Sequence, residues 1–404
     1  MDDAQRRALS SWLTEQGLAG ATEQELLHGF CDSPHCTGLS LSRSLLIIDT
    51  LHPVYEGRAF RWRNDGVVEE AVVEYGFSSD GDAAVTWQQS IFYTMLQTDQ
   101  SEYRIRLTGN EPLPFPALET MRTEGHTDFV ATVHRFTSRG VIGEMDCVYS
   151  YWCTREAAGF DDSKLEALRH LVPTLALAVK CTSLARIAET LVGVYLGRDA
   201  GQMVLQGKIR RGTTDRINAV LWFSDLRGYT AISESVAPEE ILPMLNDYAD
   251  AVISSIHDAG GDVLKLIGDG VLAIFKADRP EDACASALKA EAKLRYRLAK
   301  LNERRAAERR PVTNAYLGLH IGDVFYGNIG SAERLDFTVI GPAVNEVSRI
   351  AAMCRSVDRS VVLSEDFVAS VAPSQRERCV SVGRYALRGV RRARHLFTLE
   401  DRLT

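Results

Sequence analysis

Residues 220–230 read VLWFSDLRGYT, an apolar strand that ends at Asp225 and passes into a turn containing Gly228. A carboxylate at a strand end can bind Mg²⁺, which prefers oxygen ligands, and the N–H groups of a tight turn can face triphosphate oxygens. A strand-end aspartate is also a common turn or helix-cap residue. Taken alone, the stretch predicts a strand and a turn and leaves metal binding open.

A second acid lies in residues 260–275, GGDVLKLIGDGVLAIF, where Asp269 sits between two glycines at a predicted hairpin tip. Aspartate and glycine are ordinary hairpin residues, so a plain type I′ turn is the alternative interpretation. Two acids on loops at one sheet edge, Asp269 and Asp225, are what a two-metal phosphoryl-transfer site requires. The pair therefore favours metal binding over two unrelated turns.

The third informative segment is LDFTVIGPAVNEVSRI, residues 335–350, which predicts a strand followed by a helix opening at Pro342. Asn345 and Arg349 are four residues apart and share one helical face. That face could be merely exposed and polar. Directed at a nucleotide, an arginine there would stabilise charge that develops on the α-phosphate in the transition state.

The order of predicted elements around these segments is β-α-β-β-α-β, an α+β pattern. It resembles the ferredoxin-like arrangement, with helices expected on one face of an antiparallel-centred sheet. The predicted strands and helices are 219–224, 238–257, 263–267, 271–275, about 280–308, 315–322, 323–329 and 336–340, before the helix at Pro342.

Together these three segments resemble the catalytic domain of class III adenylyl and guanylyl cyclases, over residues 215–404. The resemblance implies two Mg²⁺ or Mn²⁺ ions per site, held by Asp225, Asp269 and the carbonyl of Leu226. It implies that Asn345 orients the ribose and Arg349 stabilises the transition state. The further substrate contacts that it implies are Phe223, Gly228, Tyr229, Thr230 and, at the terminal phosphates, Arg388.

Substrate choice in this family depends on two strand residues, which here are Lys265 and Thr338. Members that use ATP carry lysine with aspartate or threonine, whereas guanylyl cyclases typically carry glutamate and cysteine. The resemblance therefore implies ATP, and Asp336 is not expected at the base-reading position. One residue departs from the family pattern. Tyr316 precedes LGLHIG at a position where many members carry an arginine that contacts the phosphates, so this contact is not expected here.

In such cyclases the metal residues and the base-reading residues come from different protomers, so the resemblance implies a homodimer that makes cyclic AMP. The alternatives are a guanylate cyclase and a non-catalytic sensor that uses the fold for dimerisation. A diguanylate cyclase is disfavoured, because Val263 and Leu264 interrupt its Gly-Gly-acid signature after Asp262.

The first 181 residues are expected to form an α+β regulatory domain, with a long helix from about Asp161 and a helical linker over 182–214. Residues 150–180 loosely resemble the end of a GAF-type sensor domain, which implies an unknown small-molecule or redox signal. Cys31, His35 and Cys36 could suggest a metal or thiol site, but no fourth ligand is evident. Several aromatic residues could line a pocket or fill a core: Trp62, Trp87, Tyr93, Tyr151 and Trp152.

The composition is that of an ordinary globular protein of 404 residues with a formal net charge of −8. That charge gives no general attraction for nucleic acid or anionic membrane. Unbroken apolar runs are short and the N-terminus is charged, so we expect no membrane span and a cytoplasmic location. Eight irregularly spaced cysteines fit free thiols in a reducing compartment.

Overall fold

The computed structural model describes residues 1–79, 81–137, 141–143 and 145–400. The chain divides into two compact units, the first running from Met1 to Leu191 and the second beginning at Val192. Each unit has its own sheet and its own buried apolar core.

An antiparallel sheet forms the centre of the first unit. Its strands are β1 (Leu41–Asp49), β2 (Gly57–Arg63), β3 (Val72–Tyr75), β4 (Glu102–Arg106), β5 (Asp128–Arg135) and β6 (Cys147–Thr154), in the order β3-β2-β1-β6-β5-β4. Apolar clusters cover both faces, so β6 is buried along its whole length.

Helices of the first unit lie against both faces of this sheet. They are α1 (Asp3–Ala19), α2 (Glu23–Asp32), α3 (Gly81–Gln88), α4 (Ile91–Gln97), α5 (Pro116–Thr123) and α6 (Asp162–Leu196), with a 3₁₀ turn at Pro34–Leu39. The first two begin at capping boxes, in which Asp2 pairs with Gln5 and Thr22 with Glu25.

The helix α6 continues through Pro173 and is long and apolar enough, by length and composition, to cross a membrane. This corrects the sequence expectation, which considered only unbroken apolar runs. Its residues Leu165, Leu171 and Leu175 are buried in the core of the first unit. A core helix passes the same length and composition test, so the feature is weak evidence for a membrane span.

The second unit is built on a larger sheet in the order β13-β14-β12-β10-β7-β9-β8, with β11 paired to β10. Its strands are β7 (Thr214–Leu226), β8 (Asp262–Ile267), β9 (Gly270–Phe275), β10 (Ala315–Gly330), β11 (Leu335–Ile340), β12 (Val361–Ser364), β13 (Cys379–Tyr385) and β14 (Arg394–Leu399). Neighbours are antiparallel except β10 and β12.

The helices of the second unit lie on both faces of its sheet. They are α7 (Arg198–Leu205), α8 (Tyr229–Ser235), α9 (Pro238–His257), α10 (Pro280–Ala307), α11 (Pro342–Ser356), α12 (Glu365–Ser370) and α13 (Pro373–Arg376). Helices α9 and α10 pack with Trp222, whereas α11 packs with Leu221 on the opposite face. The expectation of helices on one face is therefore wrong for α11.

Close packing of α11 against β10 depends on Gly318, where a Cβ atom would lie 2.6 Å from the backbone nitrogen of Ala351. Only glycine allows the two backbones to approach this closely. The helix that carries Asn345 and Arg349 is thereby fixed on the sheet.

Strand β7 begins at Thr214, five residues before the predicted start at Ala219, because it pairs along its whole length with β10. Helix α7, inside the predicted linker over 182–214, buries Ala200 in a cluster with Leu221 and Leu264. This helix is thus part of the second unit's core.

Candidate active site

The two predicted metal-binding aspartates lie side by side. Asp225 is next to last in β7, and Asp269 is on the two-residue turn between β8 and β9, where Ile267 pairs with Gly270. The N–H of Leu226 donates to the Oδ1 of Asp225 and to the Oδ2 of Asp269, each at 3.2 Å. Because β9 is the neighbour of β7, the turn brings the second acid to the end of the first strand.

The turn itself differs from the type I′ alternative. Gly268 has a positive φ of 63°, whereas Asp269 has none. A left-handed first residue alone is the pattern of a type II′ turn. Glycine takes the strained position, which leaves the aspartate side chain free to face Asp225.

The electrostatics of this pair favour a bound cation. Partial burial, hydrogen bonding to Asp269 and repulsion by its charge raise the pKa of Asp225 to about 7. Two carboxylates this close share a proton or a metal ion, and oxygen donors are the ligands that Mg²⁺ and Mn²⁺ prefer. The donor set therefore fits a divalent cation.

The other predicted contacts at this edge surround the same turn. Phe223 is half-buried on β7 beside Gly270, and Gly228 adopts a positive φ of 70° as the N-cap of α8. Tyr229 packs against the core, whereas Thr230 is exposed in the first turn of α8. Helix α8 begins directly after the strand that carries the predicted metal ligand Asp225, as a phosphate-facing turn would require.

Lys265 and Thr338, the predicted base-reading pair, lie on β8 and β11. The ammonium of Lys265 forms an ion pair with Asp336, which precedes Thr338 by two residues and therefore shares its face of β11. Both partners of the ion pair are close to half exposed, at 47% and 43%. The structure thus brings Lys265 to the strand face that carries Thr338.

Arg349 lies on α11 with its guanidinium near the loop between β13 and β14. A Cβ atom placed on Gly389 would be 3.4 Å from that guanidinium, and Arg388 is the preceding residue. Asn345 and Arg388 are both exposed. Among the described residues, the Arg349 side chain has no hydrogen-bond or ion-pair partner, so its charge is available to a ligand.

Within one chain the two predicted groups of residues remain apart. Asp225 pairs with Tyr316 at one end of β10, and Thr338 pairs with Gly327 toward the other end. Across the described ranges, no hydrogen bond or ion pair joins the aspartates to Lys265, Thr338, Asn345 or Arg349. The predicted residues therefore form two separate groups in the described chain.

Residues 213–401 match the family profile of the adenylate and guanylate cyclase catalytic domain. This match covers the two aspartates and the Asn345 and Arg349 helix in a single domain. The second unit is a class III cyclase catalytic domain.

Relatives of this cyclase domain include two curated adenylate cyclases. The enzyme from Anabaena cylindrica is 34% identical over 168 residues, which are 41% of this chain and 33% of that protein. Adenylate cyclase 1 from Rhizobium meliloti is 33% identical over 152 residues, which are 36% of this chain and 22% of that protein. The chain spans about a third or less of the length of these relatives.

Among solved structures, the adenylyl cyclase CyaB from P. aeruginosa is 23% identical, with a TM-score of 0.43. The similarity covers 47% of this chain and 96% of that one. These similarities concern the cyclase domain, and the GAF-like interpretation of the first unit stays a prediction.

The departure from the family at Tyr316 has a structural counterpart that the sequence interpretation missed. Arg227 lies over the Tyr316 ring, 5.7 Å from its centroid, and Tyr316 is the cross-strand neighbour of Asp225. The arginine in DLRGYT was the available signal, since it follows the strand-end acid by two residues. The Arg227 guanidinium thus lies next to the predicted metal-binding edge of the cyclase domain.

Asp336 is the second residue that sequence reasoning set aside, because it lies outside the base-reading position. Its ion pair with Lys265 arises where β11 passes close to β8. The two-residue spacing places Asp336 on the same strand face as Thr338, but no local pattern indicates that this strand passes close to β8.

Cys31, His35 and Cys36 in the first unit do not resemble a metal site. Both thiols are buried and His35 is exposed. Burial raises the pKa of Cys36 to about 12 and that of Cys31 well above its ordinary value, so both stay protonated. In the described part of the chain their ligand atoms do not form a three-residue cluster.

Proposed function

We propose that the cyclase domain converts ATP to 3′,5′-cyclic AMP and pyrophosphate. The observation that carries the proposal is the meeting of Lys265 and the Thr338 face of β11 at one place in the fold. A lysine donor beside a threonine hydroxyl suits the ring nitrogen and exocyclic amine of adenine, because the two groups can donate to the first and accept from the second.

In this proposal the aspartate pair binds the metal ions that contact the triphosphate of ATP. Asp225 and Asp269 would hold two Mg²⁺ or Mn²⁺ ions, with the Leu226 carbonyl as a further ligand. When bound, such ions lower the pKa of a ribose hydroxyl and neutralise phosphate charge. The carboxylates would hold the ions at the end of β7, beside the turn that leads into α8.

Residues of α11 and the β13–β14 loop would act on the reacting phosphate. Arg349, free of partners in the described chain, is placed to stabilise the charge that develops at the α-phosphate. Asn345, one turn earlier, would hold the ribose so that its 3′ oxygen attacks in line. Arg388 would contact the leaving pyrophosphate.

Because the two groups of residues are separate in one chain, the proposal requires a symmetric homodimer with two equivalent sites. Each site would take Asp225 and Asp269 from one protomer and Lys265, Thr338, Asn345 and Arg349 from its partner. A lone chain would then have no complete site. A non-catalytic role is disfavoured, since all four metal and transition-state residues are present.

Purified protein assayed with ATP or GTP and Mn²⁺ tests the substrate assignment. We expect cyclic AMP as the main product, with no product from the Asp225→Asn or Arg349→Ala variants. A Lys265→Glu, Thr338→Cys double variant should shift the preference toward GTP, because the glutamate accepts hydrogen bonds that adenine does not donate. Cyclic GMP as the main product of the unmodified protein would make the domain a guanylate cyclase.

We also propose that the protein is cytoplasmic. Its first unit would regulate the cyclase activity of the second. A chain that begins at Val192 keeps α7 and the whole cyclase core, and we expect it to retain basal activity. Identical responses of this chain and the full chain to a ligand of the first unit would contradict a regulatory role.

A further inference from the structure

The first unit encloses a cavity of about 570 Å³ between its sheet and the helices α3, α4 and α5. Protein interiors rarely contain voids larger than a water molecule, whereas ligand pockets commonly fall within 300–1,000 Å³. The volume is therefore that of a binding site for a small molecule and not of a packing defect.

Aromatic rings form much of the cavity wall. Trp87 meets Tyr149 edge to face at 5.6 Å between ring centroids, and Phe92 packs on the same tyrosine at 5.2 Å. Phe129 and Tyr151 form a second pair at 5.2 Å. Flat apolar walls of this kind suit a flat apolar ligand, and their ring faces also attract cations.

The helix α3, which closes one side of the cavity, is weakly packed. None of its described side chains is buried, and Trp87 is only half-buried although it contacts the cavity. A ligand below Trp87 would supply the apolar contacts that α3 lacks.

The charged side chains among the described lining residues of the cavity are carboxylates. Its carboxylates are Asp49, Glu56 and Asp146, and among the described residues that line it there is no lysine, arginine or histidine. The Tyr75 hydroxyl donates to Asp49, and the Cys147 thiol donates to Asp146 at 3.0 Å, which holds these acids in place.

The Ser78 hydroxyl likewise donates to Glu56 at 2.7 Å. An anionic ligand such as a nucleotide would meet these carboxylates, with no lysine, arginine or histidine among the described residues that line the cavity. Repulsion of this kind rejects phosphates and favours a positive group.

We propose that this cavity binds a small aromatic molecule that carries a protonated amine, with its ring between the aromatic walls and its charge toward the carboxylates. The site is separate from the cyclase residues and does not depend on their assignment. It selects against nucleotides, including the substrate and product of the proposed reaction.

Three probes with the same ring test the proposal on the full chain by isothermal titration calorimetry: tryptamine, which is cationic, indole, which is neutral, and indoleacetate, which is anionic. We expect tryptamine to bind at least about tenfold more tightly than indoleacetate, with indole between them, since one favourable charge contact at a half-buried site is worth a factor of this order. Equal affinities, or no binding of tryptamine at millimolar concentration, would overturn the proposal.

Two substitutions on α3 locate the site. Ala83 lines the cavity and Ala84 does not, so Ala83→Trp should abolish tryptamine binding whereas the matched control Ala84→Trp should preserve it. Asp146 is exposed, and Asp146→Asn should weaken tryptamine several-fold and strengthen indoleacetate without unfolding the chain. Equal loss in both α3 variants, or an unchanged tryptamine to indoleacetate ratio in Asp146→Asn, would place binding elsewhere.

Discussion

Two inactive variants should restore activity to each other when they share a dimer. Asp225→Asn removes a metal ligand, and Arg349→Ala removes the free guanidinium on α11. No hydrogen bond or ion pair links these residues in the described chain, and each belongs to a different half-site. A mixed dimer therefore contains one site in which both residues are intact.

The size of the recovery follows from the symmetry of the dimer. If the two chains associate at random in equal amounts, about half of the dimers are mixed, and each mixed dimer has one intact site and one site lacking both residues. The expected rate is thus about a quarter of that of the unmodified protein. A site built within a single chain would give no recovery at all.

The assay is cyclic AMP formation from ATP and Mn²⁺ by the unsorted mixture of co-expressed chains that carry different affinity tags. Mixed dimers isolated through both tags should reach about half of the unmodified rate, because each has one intact site of two. Asp225→Asn combined with Asp269→Asn is the matched control. Both changes lie in the same half-site, so every site in that mixed dimer lacks a metal ligand. Equal rates from the two mixtures, or no recovery in the first, would refute the division of the site between protomers.

Three further predictions concern single residues. Asp336→Asn should free Lys265 for the adenine ring and raise the ATP to GTP ratio of kcat/KM several-fold. The free energy of unfolding should change by less than about 1 kcal/mol, because the ion pair is exposed. An unchanged ratio would leave Asp336 without a role at the base. The pKa of Asp225 is raised to about 7 in the folded protein, because the partly buried carboxylate must ionise beside Asp269. The free energy of unfolding of the metal-free protein should therefore fall as the pH rises from the ordinary aspartate range through 7. Mn²⁺ binds the ionised form, so it should raise Tm more at about pH 8 than at about pH 6, and differential scanning fluorimetry of Asp225→Asn should show neither effect. Arg227→Ala should raise KM for ATP several-fold if this cation takes over the phosphate contact missing at Tyr316, whereas Tyr316→Phe, which keeps the ring, should leave KM unchanged.

How far the sequence predicts the cyclase domain depends on whether contacts are local. The approach of Asp225 and Asp269 was predictable, because a strand end and the tip of an adjacent hairpin meet at one sheet edge. The Lys265–Asp336 ion pair was not, since it requires β11 to pass close to β8, which no local pattern encodes. The sequence likewise did not predict the face of the sheet on which α11 packs, because that face depends on the close approach of Gly318 to the α11 backbone.

The first unit shows the same limit for aromatic residues. The sequence left open whether they fill a core or line a pocket, and the structure divides them. Trp62 and Trp152 are buried in the core with α6, whereas Trp87 and Tyr151 line the cavity. Tyr151 and Trp152 are neighbours on β6 and therefore lie on opposite faces of the sheet, and the sequence does not indicate which of these two buried faces also borders a cavity.

Among the described residues of a single chain, no hydrogen bond or ion pair joins the two groups of residues proposed for catalysis. Asp225 and Asp269 lie side by side, Lys265 pairs with Asp336, and Arg349 has no hydrogen-bond or ion-pair partner there. In the proposal, a single chain is therefore missing half of each site. The second protomer and the nucleotide would supply what is missing, so the free energy of completing the site comes from assembly and substrate binding together. Activity per chain should then depend on protein concentration, and a signal that changes only the dimer equilibrium or its geometry would change the number of complete sites without touching a catalytic residue.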